Sequence, residues 1–321
     1  MTSGPFTASD MPILGGKVYH LELAPEELAK DILIVGDPER VTAIADDFFK
    51  TREVERFHRG LRTITGITKE NNQRVTVVTS GMGTPSLEIV LNELYILNEI
   101  DLKTRLPKKH SSSASNAIHI IRVGTSGGLQ AETALGTSVI TEYAVGLDNT
   151  GLFYGVRPSG KCKELEEKVR MAITTAIPLS SPFRNRIYPY ATQASVPISA
   201  ALMQAAEELK MPSKNGITAS CSGFFANQGR DISRVPLTVP NIDNVLAKMG
   251  YIIDGLRFEN MEMESSFLLQ FMGALGYQAG SICPVIANRR ADTFDTHYAK
   301  SIHDATDAAL KALFICRKMQ P

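Results

Sequence analysis

Length, composition and charge exclude several classes of protein. The chain has 321 residues and 43% of them are hydrophobic, enough for one large α/β domain or two small ones. Lysine plus arginine and aspartate plus glutamate both number 34, and this zero net charge argues against a general nucleic-acid or membrane-surface binder. The sequence shows no secretory signal and no apolar run of about 18 residues, so no membrane association is expected.

The cysteines indicate the redox compartment. They are widely spaced and form no CxxC pair: Cys162, Cys221, Cys283 and Cys316. Such spacing predicts reduced thiols in a cytoplasmic protein, without a disulfide framework or a zinc site.

The N-terminal region predicts an arm followed by a strand and a helix. Residues 1–17 are rich in Ser, Gly, Pro and Thr, so a flexible N-terminal arm is expected. The apolar run 32–35 predicts a strand that Gly36 ends, and Asp37 suits the N-cap of a helix. A strand, a glycine and a helix N-terminus form a common anion-binding geometry. Arg40 opposes the helix dipole there, which favours a ligand-binding role, although a solvated surface arginine is the alternative.

The next segment predicts a basic hairpin and a second glycine-rich turn. Alternation over 62–68 and 74–79 predicts two strands, and residues 80–86 read Ser-Gly-Met-Gly-Thr-Pro-Ser before a helix over 87–100. Neither GxGxxG nor GxxxxGK[ST] occurs, so dinucleotide and nucleoside-triphosphate sites lack support.

The stretch 118–130 joins a buried strand to a third glycine-rich turn. Its β-branched run delivers Arg122 and Thr125 to one point with many free backbone N–H groups. An arginine and hydroxyls at a flexible turn can hold an anion, with phosphate the favoured one. A tight connection whose arginine only pairs with a carboxylate is the alternative reading.

Two later motifs combine aromatic, polar and acidic residues. Phe224 lies close in sequence to Gln228 and Arg230, which suits a flat heterocycle, although a core phenylalanine beside a solvated loop is the favoured explanation from these residues alone. Glu262 and Glu264 stand where a strand gives way to a helix, and could bind sugar hydroxyls or cap that helix.

Strands and helices alternate through the remaining chain. Further strands are expected over 136–142, 216–219 and 279–287, with helices over 165–177, 195–210 and 297–318. Together with the earlier elements, this alternation predicts a single α/β domain over 18–321 around a mixed, twisted sheet flanked by helices. The glycine-rich turns should then meet at one edge of the sheet.

The motifs together resemble the nucleoside phosphorylase superfamily, and within it are most similar to the uridine phosphorylases. The matching segments, in the family's order, are 18–21 (VYHL), 36–40 (GDPER), 80–86 (SGMGTPS), 121–128 (IRVGTSGG), 228–230 (QGR), 260–265 (NMEMES) and 285–289 (VIANR). The resemblance implies the nucleoside phosphorylase fold, with a partly barrel-like sheet. It also implies reversible phosphorolysis of uridine in pyrimidine salvage, with deoxyuridine and thymidine as candidate further substrates.

The resemblance assigns roles residue by residue. It implies phosphate binding by Gly36, Arg40, Arg59, Arg122 and Thr125, ribose binding by His20, Glu262, Met263 and Glu264, and base binding by Phe224, Gln228, Arg230 and Arg289. Arg122, Gln228 and Arg230 would carry catalysis. His20 and Arg59 would act across a dimer interface, so a homo-oligomer is expected.

Several departures from the family qualify these expectations. Gly60 stands where some bacterial relatives carry a glutamate that binds a monovalent cation, so no metal is expected, and no cofactor beyond the substrate phosphate. Surface insertions over 103–117 and 232–256 could block hexamer assembly and leave a dimer, and the sequence leaves dimer and hexamer both open. Asn288-Arg289 replaces the Ser-Asp pair of the hexameric purine enzymes, which favours a pyrimidine. A purine nucleoside phosphorylase, a nucleoside hydrolase of the same fold and a non-catalytic nucleoside-binding or storage protein are the alternatives.

Overall fold

The computed structural model describes residues 5–109 and 117–319. Its strands are β1 (Ile13–Leu14), β2 (Lys17–Val18), β3 (Asp31–Val35), β4 (Phe49–His58), β5 (Leu61–Thr68), β6 (Arg74–Thr79), β7 (Ile100–Asp101), β8 (Leu106–Pro107), β9 (His119–Val123), β10 (Ser126–Gly128), β11 (Ser138–Leu147), β12 (Tyr190–Gln193), β13 (Ser213–Cys221), β14 (Phe258–Glu262), β15 (Gln278–Asn288) and β16 (Thr293–Phe294). Its α-helices are α1 (Pro38–Phe48), α2 (Thr84–Glu99), α3 (Gly160–Ala176), α4 (Val196–Glu208), α5 (Ile242–Ala247), α6 (Ser265–Ala274) and α7 (Ala299–Lys318).

One large mixed sheet organises the chain. Its strand order is β12-β11-β13-β14-β10-β15-β9-β3-β6-β5-β4, with β16 paired to β15. An additional antiparallel pairing of β11 with β15 closes five strands, β11-β13-β14-β10-β15, into a barrel-like ring. The predicted α/β domain with a mixed, partly barrel-like sheet is therefore confirmed.

Helices cover the sheet in three apolar clusters. Helices α1, α4 and α7 contribute side chains to one cluster, α2 and α6 to a second, and α3 and α5 to a third beside the barrel. Strands β3 and β9 are buried along their whole length, as their apolar runs predict. Among the described residues, no helix is both long and apolar enough to span a membrane.

Parallel pairing brings several strand ends to one edge. Four neighbouring strands of the sheet, in the order β15-β9-β3-β6, run parallel to one another, and β13 and β14 form a second parallel pair. The carboxyl ends of parallel strands point the same way, so the turns after them collect together. This topology places the glycine-rich segments of the sequence around one region.

Two segments differ from their expected form, and part of a third lies outside the described residues. Residues 5–17 are docked rather than loose, because Met11 is buried and Arg105 donates hydrogen bonds to the backbone oxygens of Thr7 and Met11 at 2.9 and 2.7 Å. The 232–256 segment is not wholly a surface insertion, because Ile242 and Leu246 of α5 pack in the third apolar cluster. Residues 110–116 of the other expected insertion lie outside the described residues.

Candidate functional site

A cavity of about 460 Å³ lies at the convergence of the strand ends. The predicted site residues that line it are Gly36, Arg40, Arg122, Thr125, Phe224, Gln228, Arg230, Glu262, Met263 and Glu264. Arg289 lies next to this group, and His20 and Arg59 do not line the cavity. Ten of the thirteen residues, separated by up to 228 positions in sequence, are therefore brought together.

Four residues for which the resemblance implies phosphate binding, here called the phosphate cluster, lie after β3, in the first turn of α1 and around the end of β9: Gly36, Arg40, Arg122 and Thr125. Asp37 caps α1 by accepting a hydrogen bond from the N–H of Glu39 at 2.9 Å, which fixes Arg40 in the first turn. Arg40 Nη1 donates to the backbone oxygen of Val123 at 3.3 Å. Burial and the neighbouring Arg122 lower the pKa of Arg40. Two guanidinium groups that line one cavity and repel each other favour a bound anion between or beside them.

Arg122 is held by two buried carboxylates. Its Nε donates to Glu262 Oε2 at 2.9 Å and its Nη2 donates to Glu264 Oε2. Its Nη1 is buried and has no hydrogen-bond partner among the described residues. A buried donor without an acceptor is costly, and a bound anion would satisfy it. The sequence left open whether Arg122 pairs with carboxylates or binds an anion. The structure shows the carboxylate pairing and, in addition, a buried Nη1 donor that is available to an anion.

The two glutamates differ in how much hydrogen-bonding capacity they retain. Glu262 accepts from Ser220 Oγ, from Arg122, and from the backbone N–H groups of Glu264 and Ser265. Glu264 accepts from Arg122 and from the N–H of Gly83. Glu264 thus has spare acceptor sites for a ligand hydroxyl, whereas Glu262 mainly organises the strand-to-helix junction.

Gly124 is required for the position of Arg122. A Cβ at Gly124 would lie 2.2 Å from Arg122 Nη1 and 2.6 Å from its Cζ, and the carboxylates prevent this guanidinium from moving away. We expect Gly124→Ala to displace this guanidinium and so, if Arg122 binds phosphate as the resemblance implies, to raise KM for phosphate at least about tenfold. Initial-rate kinetics at saturating nucleoside measure this effect.

Gly273→Ala is the matched control for Gly124→Ala. A Cβ at Gly273, in α6, meets no atom within 4 Å. This substitution should leave KM for phosphate unchanged. An unaltered phosphate KM in the Gly124 variant would refute the role given to the Arg122 Nη1 donor.

The base cluster, defined as Phe224, Gln228, Arg230 and Arg289, forms the cationic wall after β13 and β15. The Arg230 guanidinium stacks on the Phe224 ring at 3.8 Å from its centroid, and its Nη1 donates to Gln228 Oε1 at 2.6 Å. Arg289 donates to the backbone oxygen of Gln228. Burial and Arg289 lower the pKa of Arg230. The cluster offers a flat aromatic surface, an amide and positive charge, which suit a polar heterocycle.

His20 and Arg59 lie together outside the cavity. His20 Nδ1 is 2.7 Å from Glu93 Oε1, and the Arg59 guanidinium lies 5.6 Å from the centroid of the Tyr19 ring. Arg59 is exposed at the tip of the β4–β5 hairpin, where both Arg59 and Gly60 have positive φ angles. The structure thus groups these two residues on one surface, away from their own chain's cavity.

The cavity also contains residues that sequence reasoning missed. Met82, Ile286 and Phe294 contribute apolar surface, and Phe294 is 63% exposed at the end of β16. Met82 belongs to the glycine-rich motif 80–86 and could have been found there. Phe294 carries no local signal, because its placement depends on the pairing of β16 with β15.

Comparisons with known proteins agree with this arrangement. The model of the family described as the phosphorylase superfamily matches residues 30–316, so the chain belongs to that superfamily. The uridine phosphorylase of Thermococcus kodakarensis is 29% identical over 302 residues, which cover 93% of this chain and 87% of that protein. A DeoD-type purine nucleoside phosphorylase of Roseobacter denitrificans is 33% identical over 136 residues, covering 42% of this chain and 50% of that protein.

Solved structures give the same class. A Trypanosoma brucei nucleoside phosphorylase, described as showing uridine phosphorylase activity, superposes with a TM-score of 0.86 at 30% identity, over 95% of this chain and 99% of that one. The Toxoplasma gondii purine nucleoside phosphorylase has a TM-score of 0.65 at 22% identity and shows the shared fold. The protein is a member of the nucleoside phosphorylase family, a pentosyltransferase kind of enzyme whose substrates are a nucleoside and phosphate.

Proposed function

We propose that this protein is a uridine phosphorylase that converts uridine and phosphate reversibly to uracil and ribose 1-phosphate. The observation that carries the proposal is one cavity lined by the phosphate cluster and by Phe224, Gln228 and Arg230 of the base cluster, with an Arg122 donor that has no partner among the described residues. The long similarity to a uridine phosphorylase supports the choice of base. Tolerance for thymidine or deoxyuridine belongs to the same proposal.

The proposed reaction needs no covalent enzyme intermediate. A phosphate oxygen attacks C1′ of the ribose, the C1′–N1 bond breaks, and its electron pair leaves with the uracil ring. Arg40 and Arg122 would bind the phosphate through charge-assisted hydrogen bonds. Glu264 would bind the ribose hydroxyls beside Met263. Phosphate held under the ribose would stabilise the positive charge that develops at C1′.

The base cluster would stabilise the departing pyrimidine. Gln228 can both donate to and accept from the uracil edge, and Arg230 can stabilise negative charge that spreads onto its oxygens. Arg289 supports a pyrimidine because an arginine does not protonate N7 of a purine at neutral pH. Asn288, its neighbour, is occupied by hydrogen bonds to the backbone oxygens of Gln130 and Thr133 at 2.8 and 3.0 Å.

Uridine cleavage measured with and without inorganic phosphate tests the proposal, with inosine assayed in parallel. Phosphate-dependent release of uracil with inosine inert is the expected result. Uridine cleavage without phosphate would indicate a hydrolase, and cleavage of inosine alone would indicate a purine enzyme. Binding of uridine without any cleavage would indicate a non-catalytic nucleoside-binding protein.

We further propose that the active form is at least a dimer. His20 and Arg59 would complete the ribose and phosphate sites of a second copy, because they lie together but outside their own cavity. Dilution to the monomer should therefore abolish phosphorolysis, as followed by specific activity and sedimentation over a concentration series. A monomer with full specific activity would contradict the shared site. Arg59→Ala should raise KM for phosphate at protein concentrations where the dimer persists.

A further inference from the structure

Helix α5 places a buried carboxylate behind the base cluster. Asp243 is 8% exposed, and its Oδ2 lies 3.2 Å from Arg289 Nη2. The helix belongs to the 232–256 segment, which has no part in the proposed reaction. A carboxylate that is mostly withdrawn from water and paired with an arginine bonded to the cavity-lining Gln228 suggests a positioning role.

The loop 228–230, which carries Gln228 and Arg230 of the base cluster, packs directly on this helix. Arg289 donates to the backbone oxygen of Gln228, so the ion pair to Asp243 also fixes the start of the loop. A Cβ at Gly229 would lie 3.0 Å from Asp243 Oδ1 and 3.1 Å from the backbone nitrogen of Ile242. Gly229 also has a φ of 72°, in the left-handed region. The loop and α5 are therefore in close contact through Asp243.

Asp243 also balances the charge of two neighbouring arginines. Burial and Arg289 lower the pKa of Arg230, whereas Asp243 raises it. Without this carboxylate, Arg230 and Arg289 would repel each other across Gln228. Each guanidinium would then tend to move toward solvent, and its hydrogen bond to Gln228 would weaken.

We propose that Asp243 is a positioning residue for nucleobase recognition: it holds Arg289, and through it the Gln228–Arg230 loop, in the geometry that binds the base. The inference rests on the proposed function, since it takes this loop to be the base-binding wall. It does not involve the phosphate cluster. Loss of the Asp243 charge should therefore change the kinetic constants for the nucleoside and leave KM for phosphate unchanged.

The Asp243→Asn variant tests this role because it keeps the side-chain shape and removes the charge. We expect kcat/KM for the nucleoside to fall about 10- to 100-fold, while KM for phosphate stays within about twofold. Asp243→Glu should recover part of the loss. Asn244→Ala, on the same helix, is the matched control. It removes only an exposed hydrogen bond of 2.7 Å that Asn244 Oδ1 accepts from Arg290 Nη2. Its kinetics should equal those of the unmodified protein.

A double-mutant cycle separates positioning from general support of the fold. If Asp243 acts through Arg289, adding Asp243→Asn to Arg289→Gln should cause no further loss in nucleoside kcat/KM. Three results would overturn the proposal: an Asn variant within about threefold of the unmodified protein, an equal rise in both KM values, or full additivity in the cycle. If the Asn variant does not fold, Asp243→Glu carries the same comparison, with a raised nucleoside KM and an unchanged phosphate KM expected.

The unmodified protein, assayed with uridine and inosine, tests the proposed function separately. Ratios between variants and the unmodified protein test Asp243, with whichever nucleoside is cleaved. Inosine cleavage alone would reject the uridine assignment and leave the Asp243 comparison intact. Loss of the kinetic separation with active uridine phosphorolysis would reject only the positioning role.

Discussion

Replacing Arg230 with alanine is expected to lower kcat for phosphorolysis by about 100- to 1000-fold, the usual loss when one oriented donor to a developing negative charge is removed. The Arg230 guanidinium stacks on Phe224 and donates to Gln228 Oε1, so its orientation exists before any ligand binds. A donor fixed in this way needs little reorganisation as negative charge develops on the leaving base. The substitution also frees Gln228 to rotate.

The fold should tolerate Arg230→Ala. The side chain is partly exposed at the cavity wall, and its hydrogen bonds stay within its own loop, to Phe224 and Gln228. Thermal unfolding should therefore remain close to that of the unmodified protein. Arg234→Ala, at an exposed position four residues on, is the control and should change neither kcat nor stability. Near-normal turnover by the Arg230 variant would remove this residue from the proposed mechanism.

The sequence predicted the parts of the fold that local patterns determine. Strands β3 and β9 were recognisable because their apolar runs are buried throughout. The turns after them were recognisable from glycines. Their convergence followed from parallel pairing, because carboxyl ends of parallel strands share one edge. The resemblance then supplied roles that geometry alone would leave open.

The elements that were missed depend on tertiary context. Strand β4 reads FKTREVERFH and is mostly exposed, so it lacks the alternation of a half-buried strand and is defined by its pairing with β5. The six-residue helix α5 is too short for a clear helical period. In the site, the sequence could not reveal how Arg122 divides its donors between two glutamates and the cavity, because these partners lie about 140 positions away.

Replacing Arg122 with alanine is expected to have the largest effect on the protein. It should lower the free energy of unfolding by about 3–5 kcal/mol, because removing one partner of a buried ion pair leaves an uncompensated charge. Glu264 is affected most, since among the described residues it then accepts a hydrogen bond only from the N–H of Gly83. Glu262 still accepts from Ser220 Oγ and from backbone N–H groups. Phosphate-dependent turnover should also disappear, because the buried anion donor is lost.

The pH dependence of the unfolding free energy of Arg122→Ala should show that Glu264 is the carboxyl affected by the loss of Arg122. Burial raises the pKa of Glu264, and Arg122 opposes that rise. Without Arg122, the folded-state pKa should rise further above that of the unfolded chain. A raised folded-state pKa gives stability that is present at low pH and lost as pH rises through it. The destabilisation measured by urea unfolding should therefore be smaller near pH 5 than near pH 8.

A second substitution separates the structural role of Arg122 from its proposed role in phosphate binding. In Arg122→Ala with Glu264→Gln, no ionised carboxylate remains at position 264, so most of the lost stability at neutral pH should return. Activity should not return, since neither the anion donor nor the Glu264 acceptor is restored. Recovery of phosphorolysis together with stability would contradict direct phosphate binding by Arg122. Stability regained without activity would show that Arg122 stabilises the fold by neutralising Glu264, and that catalysis needs the Arg122–Glu264 pair itself.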